Sequence, residues 1–238
     1  MDNTSTADHF SMFGSVFTSD REGFLRAIES GADIRSKNHD TRSVIHEAVA
    51  SLDPSMVHLV LEHGAELDVQ DDKGYTALHY AAMLNEPGIV SALLDEGANL
   101  SLVNDQGYTV LHEAVFEGSV EIAQTFIDQG VDLEAQDAEG CTPLHYAAQC
   151  NKPEVAQLLL DAGANPFCAS SAGKLPSHLA YKTPKLQATL EAAEQKWKHD
   201  RAAERREDLK DIAQAARPQE MASIEQVKAK RQVYGRAM

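Results

Sequence analysis

The 238-residue chain is 43% hydrophobic and 24% charged, and its formal net charge is −16. This composition is typical of a folded protein rather than an intrinsically disordered one, and the length allows one large domain or two small ones. Between Gly74 and Asn151 there are 12 acidic residues and no Lys or Arg, which argues against nucleic acid as a partner of this region.

The N-terminal residues have neither the basic start nor the long apolar stretch of a secretory signal. No apolar run in the sequence is long enough to cross a bilayer. The three cysteines, Cys141, Cys150 and Cys168, are too few for a disulfide framework and are expected to be reduced. We therefore expect a cytoplasmic protein without a membrane span, with export by a signal-independent route as the alternative.

An internal repeat of 33 residues runs through most of the sequence, and three series of residues recur at this interval. They are the histidines His46, His79, His112, His145 and His178, the glycines Gly31, Gly64, Gly97, Gly130 and Gly163, and the glycines Gly74, Gly107, Gly140 and Gly173. Three independent series with one period indicate a repeat architecture.

Each unit has the pattern of two short helices. The predicted N-caps of the first helices are Ser43, Thr76, Thr109 and Thr142. Prolines at matched positions begin the second helices, where a proline costs no hydrogen bond: Pro54, Pro87 and Pro153. The second helices are predicted to end at the glycine of "HGA", "EGA", "QGV" or "AGA", the left-handed capping position.

The stretch "GYTALHYAA" at residues 74–82, its counterparts "GYTVLHEAV" and "GCTPLHYAA", and the later "LLxxGA" resemble the ankyrin repeat. The resemblance implies an all-α solenoid of stacked helix-turn-helix repeats with β-hairpin-like turns. It also implies a structural histidine that bonds turn backbone between units, and a concave binding face formed by hairpin tips and first helices. The first unit departs from the pattern, since Thr41 replaces the turn glycine, and so does the last, with Leu175 and Ser177 at the Thr and Leu positions.

The predicted organisation has three parts. Residues 1–37 form an N-terminal segment with a capping half-repeat, and residues 38–190 form repeats that begin near residues 38, 71, 104, 137 and 170. Residues 191–238 form a charged helical extension, with 11 Lys and Arg against 7 Asp and Glu from residue 196 onward.

The helix that follows the last repeat carries apolar residues at helical spacing, which are expected to seal the end of the stack: Leu186, Leu190, Ala193 and Trp197. Pro218 is predicted to end this helix. Three roles stay open for the extension beyond Trp197: a solvated surface, a second partner-binding helix, or a site for nucleic acid or anionic lipid.

The sequence predicts no catalytic residue, no metal site and no cofactor. Repeat histidines in stacked units would stand about 10 Å apart, so they cannot converge on one metal ion. The other histidines form no HExxH pattern, and the regularly spaced glycines form no phosphate-binding loop. A protein that is not an enzyme is therefore expected.

Candidate partner-binding residues occupy the positions that vary between units. Five of the 14 aromatic residues fall on the predicted inner face of the middle units. The primary candidates are Tyr75, Tyr80, Met83, Tyr108, Glu113, Phe116, Glu117 and Tyr146, and the secondary candidates at the hairpin tips are Asp72, Asp105 and Glu139. Tyrosine and methionine are enriched in interfaces, and carboxylates around them suit an Arg- or Lys-bearing segment. Packing between helices is the alternative role for these rings.

The sequence thus predicts a non-catalytic protein–protein interaction module that binds a basic segment or surface of a protein partner, as a scaffold or adaptor would. One alternative is an inhibitor or immunity-type protein that occludes a basic enzyme or toxin. Another is an assembly subunit that joins a larger complex through its C-terminal helix. The sequence leaves the oligomeric state open, and a monomer before binding is the expectation.

Overall fold

The computed structural model describes the backbone of residues 11–234 and the side chains of residues 11–210. Within that backbone the regular structure is helical, and its β-pairing is an isolated antiparallel bridge between Lys37 and Ser43. The helices are α1 (residues 11–17), α2 (Arg21–Glu29), α3 (Val44–Ala50), α4 (Pro54–Glu62), α5 (Ala77–Met83), α6 (Pro87–Asp95), α7 (Val110–Glu117), α8 (Val120–Asp128), α9 (Pro143–Gln149), α10 (Pro153–Asp161), α11 (Pro176–Leu179) and α12 (Pro184–Tyr234).

The helices form pairs, and the pairs stack along the chain. First helices α3, α5, α7, α9 and α11 contact one another in order, and each of α3, α5, α7 and α9 packs on the second helix that follows it. The apolar faces of both rows meet in one core, which contains Ile45, Leu78, Leu111, Leu144 and their neighbours. The predicted all-α solenoid of stacked repeats is confirmed.

In every complete unit the repeat histidine connects the N-cap of its own first helix to the turn of the next unit. The Nδ1 atom of His79 lies 2.8 Å from Oγ1 of Thr76, the N-cap of α5, and its Nε2 atom lies 3.0 Å from the carbonyl oxygen of Tyr108 in the next turn. His46, His112 and His145 make the same two connections. This geometry confirms the structural role that the ankyrin resemblance implied.

The turns between units need a left-handed residue at one position. Gly74 has φ +78°, and a Cβ atom there would lie 2.8 Å from the backbone nitrogen of Asp105 in the next turn. Thr41 takes this position in the first unit with φ +60°. Its Oγ1 atom accepts a hydrogen bond from the Asp72 backbone N–H at 3.2 Å, so the substituted residue still links two successive turns.

The chain divides between Leu190 and Glu191 into two compact units. In the first unit, Leu186 and Leu190 at the start of α12 are buried in the repeat core. In the second unit, the Arg201 guanidinium stands 5.1 Å above the Trp197 ring. Residues 201–210 are exposed without exception.

The prediction that Pro218 ends the long helix is wrong, because α12 continues to Tyr234. A proline inside a helix removes one main-chain hydrogen bond and disturbs the turn before it. That loss can stop a short helix, but it affects a small part of a helix of 51 residues.

Candidate partner-binding surface

The predicted binding residues lie on three successive first helices and the turns before them. Tyr75 precedes α5, which carries Tyr80 and Met83. Tyr108 precedes α7, which carries Glu113, Phe116 and Glu117, and Tyr146 lies on α9. We name these eight residues the aromatic–acidic surface.

Each of the five aromatic rings in this surface contacts another of them, and two of these contacts, Phe116–Tyr146 and Tyr108–Tyr146, extend across repeats. The ring centroids of Phe116 and Tyr146 are 4.5 Å apart, and Tyr108 lies 5.4 Å from Phe116 and 5.6 Å from Tyr146. In the preceding repeat Tyr75 and Tyr80 are 5.6 Å apart. Edge and tilted contacts at these distances hold aromatic rings in fixed positions relative to one another.

The members of the surface differ in their exposure. Tyr75, Tyr80, Tyr108 and Phe116 are half-buried, while Met83 and Glu117 are exposed. Tyr146 and Glu113 are buried, each with 6% of its surface accessible. The burial of Tyr146 favours the alternative role of packing at that position, whereas the other four rings remain partly accessible.

The hairpin tips carry the secondary candidates. Asp72, Asp105 and Glu139 are all exposed. Beside Asp72, a cleft of about 370 Å³ opens between the first two turns, and its lining includes two cations, Arg42 and Lys73. This end of the repeat stack has mixed charge, whereas the turns that follow Lys73 contain no Lys or Arg before Lys152.

The turns are built on an Asn or Asp that the sequence analysis missed. In each of four turns this side chain uses Oδ1 to accept the backbone N–H groups two and four residues later, at 2.8–3.0 Å. The residues are Asn38, Asp71, Asn104 and Asp137. Their 33-residue spacing was visible in the sequence and could have identified them as a fourth repeated series.

The second polar atom of each turn residue faces the first helix nine residues later. The Tyr80 hydroxyl donates to Oδ2 of Asp71 at 2.7 Å, and the Tyr146 hydroxyl donates to the equivalent atom of Asp137. Burial and the hydrogen bond to Asp71 raise the pKa of Tyr80 to about 12. Burial and the hydrogen bond to Asp137 also raise the pKa of Tyr146, so both phenols are neutral donors at physiological pH.

The first repeat has an amide–carboxylate pair at the same two positions, since Nδ2 of Asn38 donates to Oε1 of Glu47 at 2.9 Å. The third repeat has the same residue types, Asn104 and Glu113, but no such bond. Nδ2 of Asn104 and Oε1 of Glu113 are buried and without a hydrogen-bond partner. Burial, followed by the charge of Glu117, raises the pKa of Glu113 to about 7.

Arg42 belongs to the first repeat and contacts the aromatic–acidic surface at Tyr80. Its guanidinium carbon lies 4.8 Å from the centre of the Tyr80 ring, which makes a cation–π contact within the chain. The face of Tyr80 is thus already covered by a cation. Among residues 11–210, whose side chains the structure describes, no Lys or Arg makes a cation–π contact with Tyr75, Tyr108 or Phe116.

Within the described residues, no group of three or more His, Cys, Asp or Glu side chains is placed to hold a metal ion. Nor does the part of the chain that the structure describes contain a helix long and apolar enough to span a membrane.

The family comparison decides the class of protein. A family model described as ankyrin repeats (3 copies) matches residues 19–104 and 88–169. This chain belongs to the ankyrin-repeat family. Ankyrin repeats indicate a protein–protein interaction module, and proteins that contain them are generally non-catalytic. No curated protein matches the sequence.

Proposed function

We propose that this ankyrin-repeat protein binds a basic segment of a protein partner through the aromatic–acidic surface. The observation that carries the proposal is that three partly exposed rings, Tyr75, Tyr108 and Phe116, lie on two successive repeats. The helix that carries Phe116 also carries two carboxylates, Glu113 and Glu117. Partly exposed aromatic rings gain large contact area on binding at a small entropic cost, and they attract cations over their faces.

The charge distribution supports a basic partner. The segment from Gly74 to Asn151 has 12 carboxylates and no Lys or Arg to neutralise them. A field of one sign raises the rate at which oppositely charged segments associate, and it disfavours acidic competitors. The exposed carboxylates at the turns, Asp105 and Glu139, extend this field beside the rings.

A selection of random peptides on the immobilised full chain tests this function. We expect the selected peptides to be enriched in Arg and Lys, and their affinity to fall as ionic strength rises. A folded Tyr75→Ala, Tyr108→Ala, Phe116→Ala variant should lose at least tenfold in affinity. Tyr181→Ala is the matched control, because Tyr181 is an exposed tyrosine (68%) outside the surface. Selected peptides without basic enrichment, or equal binding by the triple variant, would contradict the proposal.

A second candidate is assembly through the C-terminal helix. Residues 201–210 of α12 are all exposed, and Leu209 has 65% of its surface accessible. A helix with an exposed apolar residue among charges can add a contact to a larger complex. Deletion of residues 196–238 distinguishes the two candidates, since it should leave peptide binding at the aromatic–acidic surface unchanged.

A further inference from the structure

Among the four turn–helix pairs of the repeats, the pair of the third repeat alone has unpaired polar atoms; elsewhere in the described residues, Oε1 of Glu194 in α12 is also buried without a partner. Three repeats share a design in which the turn residue and the first-helix residue nine positions later form a hydrogen bond: Asn38–Glu47, Asp71–Tyr80 and Asp137–Tyr146. Asn104 and Glu113 occupy these positions in the third repeat, and both are at least 94% buried. Each nevertheless retains a buried polar atom without a partner.

Such atoms carry a free-energy cost that a binding partner can remove. A buried carboxyl oxygen without a donor loses its hydration and gains nothing in return. When a cation from another molecule supplies the missing donors, the carboxylate becomes a charge-assisted acceptor. A partner that supplies the missing hydrogen bond to such a group therefore gains binding free energy that folding did not provide.

Among the described residues, no cation acts on the pKa of Glu113, whose shift has two causes, burial and the Glu117 charge. In the first repeat, burial raises the pKa of Glu47, and the nearby Arg42 charge partly opposes that rise. The third repeat has no counterpart, because the residue at the position of Arg42 is Tyr108, and no Lys or Arg occurs between Gly74 and Asn151.

The groups around Glu113 are suited to a flat or elongated cationic side chain. Phe116 and Glu117 lie three and four residues further along α7, on the same side of the helix. Burial, and next the Glu113 carboxylate, raise the pKa of Tyr75, and the neighbouring Asn104 side chain opposes that rise. Tyr75 is therefore beside Asn104 and within electrostatic range of Glu113, and Phe116 and Glu117 follow Glu113 on the same side of α7.

We propose that Glu113 is the receptor for one cationic side chain, a guanidinium or an ammonium group, that the partner's basic segment inserts beside Tyr75 and Phe116. The inference rests on the proposed function and names the recognition point within that surface. The Nδ2 atom of Asn104 remains a donor and is complementary to a carbonyl oxygen of the same segment. Tyr80 is not this receptor, because Arg42 already covers its ring.

A cycle of matched changes in protein and peptide tests this assignment. The probe is the tightest-binding selected peptide, with each arginine replaced in turn by citrulline, or each lysine by acetyl-lysine, which removes the charge. At pH 8 one of these replacements should lower affinity for the unmodified protein about 10–100-fold. The Glu113→Gln variant should bind the charged peptide with an affinity that is lower by a similar factor. On that variant the affinities of the charged and the neutral peptide should differ by less than about twofold.

Two controls locate the effect. Glu154→Gln removes an exposed carboxylate from α10, outside the surface, and should leave the cycle unchanged. Glu117→Gln should weaken binding only a few-fold, since that carboxylate is exposed and screened by solvent. The circular dichroism spectrum and the thermal midpoint verify that each variant is folded.

The outcomes separate this inference from the function on which it rests. If peptides bind and the triple aromatic variant loses them, but Glu113→Gln retains full affinity, the function stands and the receptor assignment is wrong. That result would mean that Asn104 and Glu113 close on each other, as Asn38 and Glu47 do, or share a water molecule. A selection that yields no basic peptide would contradict both.

Discussion

The Nε2 atom of His79 lies 3.0 Å from the carbonyl oxygen of Tyr108, so one imidazole connects the first helix of its own repeat to the turn of the next. The other ring nitrogen bonds the N-cap residue Thr76. A side chain that is fully buried and bonded at both ends contributes to stability rather than to chemistry.

We therefore expect His79→Ala to destabilise the protein by about 2–4 kcal/mol, since it removes both bonds and leaves a cavity. The control is His58→Ala, because His58 is partly exposed and pairs with Glu96 on the surface. That change should cost less than about 1 kcal/mol. Urea denaturation followed by circular dichroism gives both values. Equal losses for the two variants would refute the structural role.

The buried histidines should also make stability depend on pH. Burial lowers the pKa of His112 to about 4, whereas an imidazole in the unfolded chain titrates near 6.5. Between these values the unfolded state binds more protons, so the free energy of unfolding falls as pH falls from about 6.5 to about 4. Above about pH 6.5 the histidine is neutral in both states, and this loss of stability is absent.

Glu113 contributes with the opposite sign. Its pKa of about 7 in the folded protein exceeds its unfolded value of about 4.5, so the folded state holds the extra proton between these values and stability falls as pH rises from about 4.5 to about 7. The histidine effect is therefore best measured in the Glu113→Gln background. Urea midpoints should fall by the equivalent of about 3 kcal/mol from His112 between pH 7 and pH 4, and His46, His79 and His145, whose pKa values burial also lowers, should add to this fall. A midpoint constant over this range would contradict the prediction.

Two glycines with the same backbone conformation should differ in their tolerance of a side chain. Gly74 has φ +78° and Gly97 has φ +87°. A Cβ at Gly74 meets the backbone of the next turn, whereas a Cβ at Gly97 has no atom within 4 Å. Gly97→Ala should cost about 1–2 kcal/mol for its left-handed conformation alone. Gly74→Ala should cost about 1 kcal/mol or more beyond that, as thermal denaturation of the two variants can establish.

The pair that is unsatisfied in the third repeat can be replaced by the pair of its neighbours. The double variant Asn104→Asp, Glu113→Tyr reproduces the Asp–Tyr bond of the second and fourth repeats. We expect it to raise the free energy of unfolding at pH 8 by about 1–3 kcal/mol, and to weaken binding of basic peptides.

The single variants provide the control for this graft. Asn104→Asp alone places a second carboxylate near Glu113 and should destabilise the protein, and Glu113→Tyr alone lacks the carboxylate acceptor. A double-mutant cycle from urea denaturation therefore should show a favourable coupling between the two positions. Additive effects would mean that the two side chains do not interact.

Much of the fold was predictable because the same local sequence signals recur in each repeat. The N-cap positions of Ser43, Thr76, Thr109 and Thr142 and the proline starts of the second helices are where the sequence predicted them. Local hydrogen bonding and proline geometry decide these features, so they can be recognised from short stretches of sequence. The end of α12 was not predicted, since a proline weakens a helix without fixing where it stops.

The candidate surface was predictable only as a set of positions. Register placed Tyr80 and Tyr146 at equivalent sites, yet Tyr146 is buried, while Tyr80 is half-buried and covered by Arg42. Exposure depends on which side chains the neighbouring repeats bring near, and those neighbours lie 33 or more residues away in the sequence.

By itself, then, the sequence determined the period and the helix boundaries within each unit, and its resemblance to ankyrin repeats implied the histidine network, because these features arise from interactions that recur in successive repeats. Only the tertiary structure decided that Asn38 and Glu47 are bonded while Asn104 and Glu113 are not. The two pairs have the same residues at the same spacing. Their difference arises from side-chain packing between successive repeats, which a pattern of residue types does not specify.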